Sequence, residues 1–221
     1  MDAMRLGVFL ALLFALAFAV ALACAFDARA SELRSIDVPA AEDVSMPLLC
    51  DWGYDWDERC YRDDSDRLGV GGAGDKVWRA ALRFSVAAVS ASAIVVTAEL
   101  SLRYDGICVA PFRRRIRCDG RGFVLDARPI FTSRWSLARE VETGPTVATA
   151  LIDPLAPPSW VTWDLTDLVS DWHTGGLTND GVLLKLTDAD ETLASTGPSF
   201  PSSTYADASV RPRLTVWYLI E

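Results

Sequence analysis

Three aromatic residues near the start of the chain have a spacing suited to binding a sugar polymer. Trp52, Tyr54 and Trp56 alternate with other residues in an acidic segment, so an extended chain would present their rings on one side. Flat aromatic rings pack against the C–H faces of sugar rings. We therefore predict Trp52 and Trp56 as ligand-binding residues. The alternative is that these rings cover an open end of the fold.

A cluster of arginines stands out because the chain is otherwise acidic. Arg113, Arg114, Arg115 and Arg117 lie close together in a protein of formal net charge −9. Guanidinium groups bind carboxylate or sulfate groups through two parallel hydrogen bonds. We predict that Arg113, Arg114 and Arg115 bind an acidic polysaccharide. A solvated loop, or an internal partner for the Asp-rich segment, is the alternative.

Acidic residues form two groups with closely spaced oxygen ligands. Asp63, Asp64 and Asp66 make up the first, and residues 188–191 contain the second. Calcium needs several converging oxygens, and neither group follows the EF-hand pattern. The sequence predicts no cofactor except a structural calcium ion bound by Asp63, Asp64 and Asp66. The alternative is that these acids only form turns.

Catalytic motifs are missing from the sequence. There is no H-E-x-x-H motif, no Gly-rich phosphate loop and no C-x-x-C. The single histidine, His173, is predicted to be a surface residue. Carboxylates are so frequent that chance pairs do not indicate a glycosidase. We therefore predict a protein that is not an enzyme, and its negative charge excludes nucleic acid as a partner.

Residues 1–30 predict export from the cytoplasm. Arg5 precedes an apolar run from Leu6 to Phe26, and Ala28-Arg29-Ala30 resembles a signal-peptidase site. Two alternatives stay open: an uncleaved membrane anchor, and a lipoprotein with its lipid on Cys24. We expect no other contact with a membrane, and an extracellular or cell-surface location.

The four remaining cysteines predict disulfides, because an exported chain meets an oxidising compartment. Cys50 and Cys60 are ten positions apart, and so are Cys108 and Cys118. Four cysteines allow three connectivities. We predict the two local bridges, Cys50–Cys60 and Cys108–Cys118.

Most of the chain reads as short strands separated by Gly, Pro, Asp and Asn turns, the pattern of an all-β sandwich or barrel. No alternation of strands and helices indicates a nucleotide-binding α/β fold. The predicted strands are 78–86, 94–104, 107–110, 115–118, 123–128, 146–152, 159–164, 181–187 and 213–220. Core or strand-packing roles are predicted for Trp78, Phe84, Trp163, Trp172 and Trp217.

One short helix is predicted at residues 164–173. Thr166 is suited to cap its first amides, and the glycines that follow end it. The apolar face consists of Leu168, Val169 and Trp172. We expect Trp172 to be nearly inaccessible and packed on strand residues such as Leu183 or Leu214.

Four motifs in order resemble one protein family. The stretch WDLTDLVSDWHTGGLTNDGVLLKLTD (163–188) has a strand, a short helix with a central Trp, and a G-V-L-L-K strand. LGVGGAGDKVWRAALRFSV (68–86), AIVVTAELSLRYDG (93–106) and RPRLTVWY (211–218) flank it in the expected order. Together they resemble the DNRLRE domain, which is also classed as the family 96 carbohydrate-binding modules and is related to disaggregatase repeats.

The resemblance covers the chain from residue 65 to its end. It implies a jelly-roll β-sandwich of secreted or surface proteins, in which some members bind polysaccharide and others are scaffolding modules. The predicted organisation is a signal peptide (1–30), a linker (31–49), a disulfide-closed acidic and aromatic segment (50–66) and the sandwich domain (67–221). The predicted function is non-catalytic binding of a polysaccharide or cell-surface glycan. The alternative is a structural or adhesion module without a sugar ligand.

Overall fold

A computed structural model describes residues 31–47, 66–73, 76–110, 114–118, 120, 122–133, 141–193 and 196–220. The predicted signal peptide and the Cys50–Cys60 bridge lie outside these residues.

Short antiparallel strands dominate the described residues. The strands are β1 (Glu32–Pro47), β2 (Arg67–Gly69), β3 (Gly71–Ala73), β4 (Lys76–Phe84), β5 (Ile94–Tyr104), β6 (Ile107–Ala110), β7 (Arg114–Arg117), β8 (Phe123–Pro129), β9 (Ala148–Ile152), β10 (Ser159–Asp164), β11 (Val182–Leu186), β12 (Gly197–Pro201) and β13 (Arg213–Ile220). The helices are α1 (Thr166–Thr174) and α2 (Asp188–Leu193), with 3-10 turns at Val86–Ala88 and Ala208–Val210.

The larger sheet runs in the order β10-β5-β13-β1-β4-β11-β8-β9, with β3 beside β4. The smaller sheet has the order β2-β12-β6-β7. Inward side chains from β5 and β13 share one hydrophobic core with those of β4 and β11, including Leu100, Val216, Leu82 and Leu184. The larger sheet therefore folds over on itself, and the predicted all-β sandwich is confirmed.

Strand β1 joins the two layers of the sandwich. Its first half, from Glu32 to Pro39, pairs with β13, and its second half, from Ala40 to Pro47, pairs with β4. The register shifts between Ala40 and Glu42, as a β-bulge does where a strand bends. The prediction of a linker over 31–49 is therefore wrong for Glu32–Pro47, which pairs along both of its halves.

Helix α1 packs on β5 and on the 3-10 turn at Val86–Ala88. Trp172 is 6% exposed and belongs to the main core with Leu214, so its predicted burial is confirmed. Leu183 lies instead in a separate cluster with Val44, Ala81 and Ile130, so Leu183 was the wrong neighbour. The helix ends at Gly175, whose φ of 77° is left-handed, as predicted from the glycines.

The first turn of α1 differs from the prediction in its capping. Asp164 accepts hydrogen bonds from the backbone N–H of Thr166 at 2.9 Å and from its hydroxyl at 2.5 Å. The Thr166 hydroxyl oxygen in turn accepts from the backbone N–H of Ala98 at 3.0 Å. Thr166 thus ties the helix to β5, while Asp164 satisfies an amide of the first turn.

Strands β6 and β7 form the predicted disulfide-linked hairpin. Cys108 and Cys118 are bonded, with Cα atoms 5.1 Å apart. The turn before the hairpin is held by Arg67, which donates to both carboxylate oxygens of Asp105 at 2.7 and 2.8 Å. A two-point Arg–carboxylate contact fixes orientation, and this one anchors the base of the hairpin beside the end of β5.

Candidate functional site

The two end strands of the larger sheet meet at a seam, which we define as the junction of β9 and β10. Their Cα atoms come within 8 Å of one another. Within the described residues, however, β9 pairs only with β8 and β10 only with β5. A peptide strand inserted between β9 and β10 would require these two strands to be about 9.5 Å apart, which is twice the usual spacing between neighbours. The seam is narrower than that, so a peptide cannot add to the sheet here as a strand.

A cleft of about 370 Å³ opens along this seam, and we call it the Tyr104 cleft. Its lining combines one aromatic ring from β10, one carboxylate and several hydroxyls. Apart from Tyr104 at the end of β5, the residues that matter for binding are Asp153, Ser159, Trp160 and Thr162. Such a mixture of ring and polar groups suits a ligand rich in hydroxyls.

Trp160 is held in place by a cation. The guanidinium carbon of Arg213 lies 4.3 Å from the centre of the Trp160 ring, within range of a cation–π contact. The Nε of Arg213 is buried and has no hydrogen-bond partner among the described atoms. Arg213 does not line the cleft. Arg213 thus covers one face of the Trp160 ring, and a ligand in the cleft would contact the opposite face or the ring edge.

Tyr104 lines the cleft from the core face of β5, and strand alternation places Trp160 on the opposite face of the sheet. Its side chain is 1% exposed, and its ring packs against Phe200 with centroids 6.3 Å apart. The hydroxyl is buried and has no hydrogen-bond partner among the described atoms. Burial, followed by the nearby charges of Asp105 and Asp153, raises the pKa of Tyr104 to about 12. The phenol is therefore neutral at physiological pH.

A second cleft, of about 460 Å³, continues along the seam past the start of α1. It is lined by residues 147–149 and 164–168. Hydrogen bonds from the side chain and backbone of Thr166 hold the pKa of Asp164 below its usual range. Because a general acid needs a raised pKa, Asp164 is not suited to that role.

Most of the predicted ligand-binding residues lie outside the described part of the chain. These are Trp52, Trp56 and Arg113, together with the calcium candidates Asp63 and Asp64. Arg114 and Arg115 lie on β7, paired with Ala110 and Val109, and their side chains are outside the description. The aromatic and arginine predictions therefore stay predictions.

The acidic groups do not form a metal site in the described residues. The backbone carbonyl of Asp66 accepts from the N–H of Ser202 at 2.9 Å. In the second group, Glu191 accepts from Arg79 at 2.9 Å and lies 3.0 Å from the Lys185 ammonium. Asp188 also pairs with Lys185. Asp188 and Glu191 thus neutralise cations, and Asp190 accepts from the Thr187 hydroxyl at 2.9 Å.

Two further predictions concern His173 and Trp217. His173 is half-buried, and its Nε2 lies 3.1 Å from the Ala93 carbonyl, so it ties α1 to the loop before β5. Trp217 was predicted to be a core or strand-packing residue but is half-buried. On β13 the buried residues alternate with it, since Leu214, Val216 and Tyr218 face the core.

The residues of the Tyr104 cleft were not predicted as site residues. Strand alternation does carry a signal for one of them, because Trp160 and the buried Trp163 are three positions apart and so face opposite sides of β10. No comparable signal exists for Tyr104. The cleft around it arises only where β9 meets β10.

Comparison with known proteins finds no matching family model and no matching curated protein. Among the described residues, no helix is both long and apolar enough to span a bilayer.

Proposed function

We propose that this protein is a non-catalytic carbohydrate-binding β-sandwich module that works outside the cytoplasm. The observation that carries the proposal is the Tyr104 cleft, whose lining combines an aromatic residue, Trp160, a carboxylate residue, Asp153, and two hydroxyl residues, Ser159 and Thr162. An aromatic ring contributes stacking area, and neighbouring acceptors and donors contribute specificity for hydroxyl groups. The resemblance to the DNRLRE domain supports the same function.

The proposal of a non-catalytic role rests on the carboxylates of the seam. Glycosidases use two facing carboxyl groups. Asp153 is the one carboxylate among the residues that line the Tyr104 cleft. In the neighbouring cleft, the lowered pKa of Asp164 opposes proton donation. These features favour binding over hydrolysis.

The Cys108–Cys118 bridge supports a location outside the cytoplasm. Disulfides form and persist in oxidising compartments and are rare in reducing ones. The bond encloses the β6–β7 hairpin. Together with the apolar segment 6–26, it favours a secreted or surface-tethered protein.

The test is a panel of soluble neutral polysaccharides, such as β-glucan, xylan and galactomannan, measured by affinity electrophoresis and calorimetry. We expect the wild-type protein to bind at least one of them. Trp160→Ala should weaken that binding about tenfold, in line with the loss of one stacking contact of 1–3 kcal/mol.

Trp217→Ala is the matched control for Trp160→Ala. Both side chains are half-buried tryptophans of the same layer. Trp217 pairs with Thr97 and Trp160 with Arg103 on β5, which places them about 20 Å apart along that strand. Binding should survive in Trp217→Ala. Failure of the wild-type protein to bind any glycan would favour the structural or adhesion module instead.

A further inference from the structure

Four buried side-chain polar atoms in the described residues have no hydrogen-bond partner, and of these only the Tyr104 hydroxyl belongs to a residue that lines the cleft. It has less than 1 Å² of exposed area and no hydrogen-bond partner among the described atoms. Buried polar groups are nearly always hydrogen-bonded, because an unpaired one loses its contacts with water and gains nothing in return. A phenylalanine would fill the same space without this cost. The tyrosine therefore needs a reason beyond packing.

The location of Tyr104 beside the cleft gives a reason for a tyrosine at this position. Tyr104 belongs to the lining of the Tyr104 cleft, and its ring is fixed against Phe200. Phe200 also contacts the buried Trp163 edge-on, at 6.5 Å between ring centroids. A side chain held on rigid neighbours presents its polar atom in a fixed place, which is what a binding site requires.

Separation of β9 from β10 would open the cleft at the cost of uncovering Ile152 and Val161, which are 2% and 9% exposed in the main core. No backbone hydrogen bonds join β9 to β10 in the described residues, so the two strands can separate without breaking a ladder. The connection between them is short and runs over 153–158, with Leu155 74% exposed. Segments with few backbone bonds to a neighbour are those that open most readily.

We propose that the Tyr104 hydroxyl is the specificity anchor of the cleft, and that it hydrogen-bonds to a hydroxyl group of an uncharged sugar when β9 moves away from β10. This inference rests on the proposed carbohydrate-binding function and narrows it to neutral glycans.

The charges around the cleft favour an uncharged ligand. Asp153 is the carboxylate in the described lining of the cleft, while Asp105 near the phenol is neutralised by Arg67 and the whole chain carries a net charge of −9. Uronic acid or sulfate groups in this place would meet like charge in a partly desolvated setting, which disfavours them. A neutral phenol, in contrast, can both donate to and accept from a sugar hydroxyl.

Tyr104→Phe tests the proposal in the full chain against the neutral glycan that wild type binds best. Binding should weaken about tenfold, the upper range for a single neutral hydrogen bond. The thermal midpoint should stay the same or rise, because the variant removes an unpaired buried group. Tyr218→Phe is the control: Tyr218 is also a buried core tyrosine but does not line the cleft, and its loss should leave binding unchanged.

Each outcome separates the two proposals. If wild type binds a neutral glycan and Tyr104→Phe binds it equally well, the anchor is wrong and the binding function stands. If Tyr104→Phe lowers both affinity and thermal midpoint, the hydroxyl is structural and the inference is also wrong. If wild type binds acidic polymers but no neutral glycan, the anchor is wrong and the binding function stands; if it binds neither, both proposals fall.

Hydrogen exchange tests the opening step. Amides of residues 148–158 should exchange faster when the glycan is bound, because the ligand would raise the population of the form in which β9 and β10 are separated; slower exchange would show that the glycan binds the closed form. Unchanged exchange in this segment, with binding intact, would overturn the movement of β9.

Discussion

At the scale of single residues, Tyr104 combines tight packing with an unpaired polar atom. Its ring is fixed by Phe200, and its hydroxyl has no partner among the described atoms. Natural proteins depart from full satisfaction of buried polar groups mainly at functional sites. The same burial gives the phenol a titration that can be measured without any ligand.

Alkaline pH should destabilise the protein through Tyr104. Its pKa is raised to about 12 from the ordinary value of 10.0, so the folded state keeps a proton that the unfolded state releases. Above pH 10 the unfolded state binds fewer protons, and stability falls as pH rises towards 12. The slope from this group approaches ~1.4 kcal/mol per pH unit.

Urea unfolding between pH 9 and 12 measures this effect. Tyr104→Phe should show a shallower decline than wild type over pH 10–12 and no difference in pH dependence below pH 9. Parallel curves for the two proteins at every pH would contradict the assignment of a raised pKa to Tyr104.

Lys185 shows a different solution to the burial of a polar group. It is 2% exposed and lies 3.0 Å from Glu191, which also accepts from Arg79. A buried charge is tolerated when it is paired and hydrogen-bonded. These pairs attach α2 to β11 and β4, so acids that supply closely spaced oxygens in the sequence hold a short helix on the sheet.

At the scale of elements, α1 is the clearest case in which pattern and structure agree. Leu168, Val169 and Trp172 are buried as their helical spacing predicts. Replacing Trp172 with Ala should lower the free energy of unfolding by roughly 3–5 kcal/mol, the range for loss of a large buried aromatic. Chemical denaturation followed by circular dichroism measures it. A loss below 1 kcal/mol would show that α1 does not contribute to the core.

The strands most accurately predicted are those with a regular alternation and a turn at each end. Residues 94–104, 107–110, 159–164 and 213–220 match the observed β5, β6, β10 and β13. In β5, β10 and β13 one face lies in the core for most of the strand, so period-two patterning carries the information. The strands β2, β3 and β12 were missed, because three to five residues rich in Gly, Ser and Pro give little periodic signal.

Strand β1 was not predicted because its apolar residues do not keep to one face of the strand. Ile36, Val38 and Ala40 contact the main core, whereas Val44 belongs to the smaller cluster on the other side of its layer. The register shift between Ala40 and Glu42 changes which positions point inward, so the apolar residues lose a constant period. Only the presence of both neighbours, β13 and β4, determines the structure of this segment.

Only part of the Tyr104 cleft was predictable from the sequence, because the cleft depends on contacts between strands that are distant along the chain. Local alternation places Trp160 on the face opposite Trp163. The site itself depends on the meeting of β9 and β10, which follows from the closure of a sheet whose order is not consecutive in sequence. Single-sequence patterns contain no information on that closure.

At the scale of the whole molecule, the Tyr104 cleft and the base of the β6–β7 hairpin lie at the same end of β5. Tyr104 is the last residue of β5, and β6 begins at Ile107 after the Asp105-Gly106 turn. The backbone of β7 pairs directly with β6. If the proposed binding function holds, we expect a long polysaccharide to contact both, with uncharged units in the cleft and acidic units at Arg114 and Arg115 on β7.

Changing Arg113, Arg114 and Arg115 to Ser should abolish binding of acidic polymers such as alginate and pectin. In wild type, that binding should weaken as salt rises, because exposed charges are screened over about 8–10 Å at physiological ionic strength. Neutral glycans should bind wild type and the triple variant equally, since the Tyr104 cleft is unchanged. Arg34→Ser is the control, because Arg34 is exposed and pairs with Glu32 on β1. Equal binding of acidic polymers to wild type and the triple variant, or binding to neither, would show that the hairpin is ordinary surface.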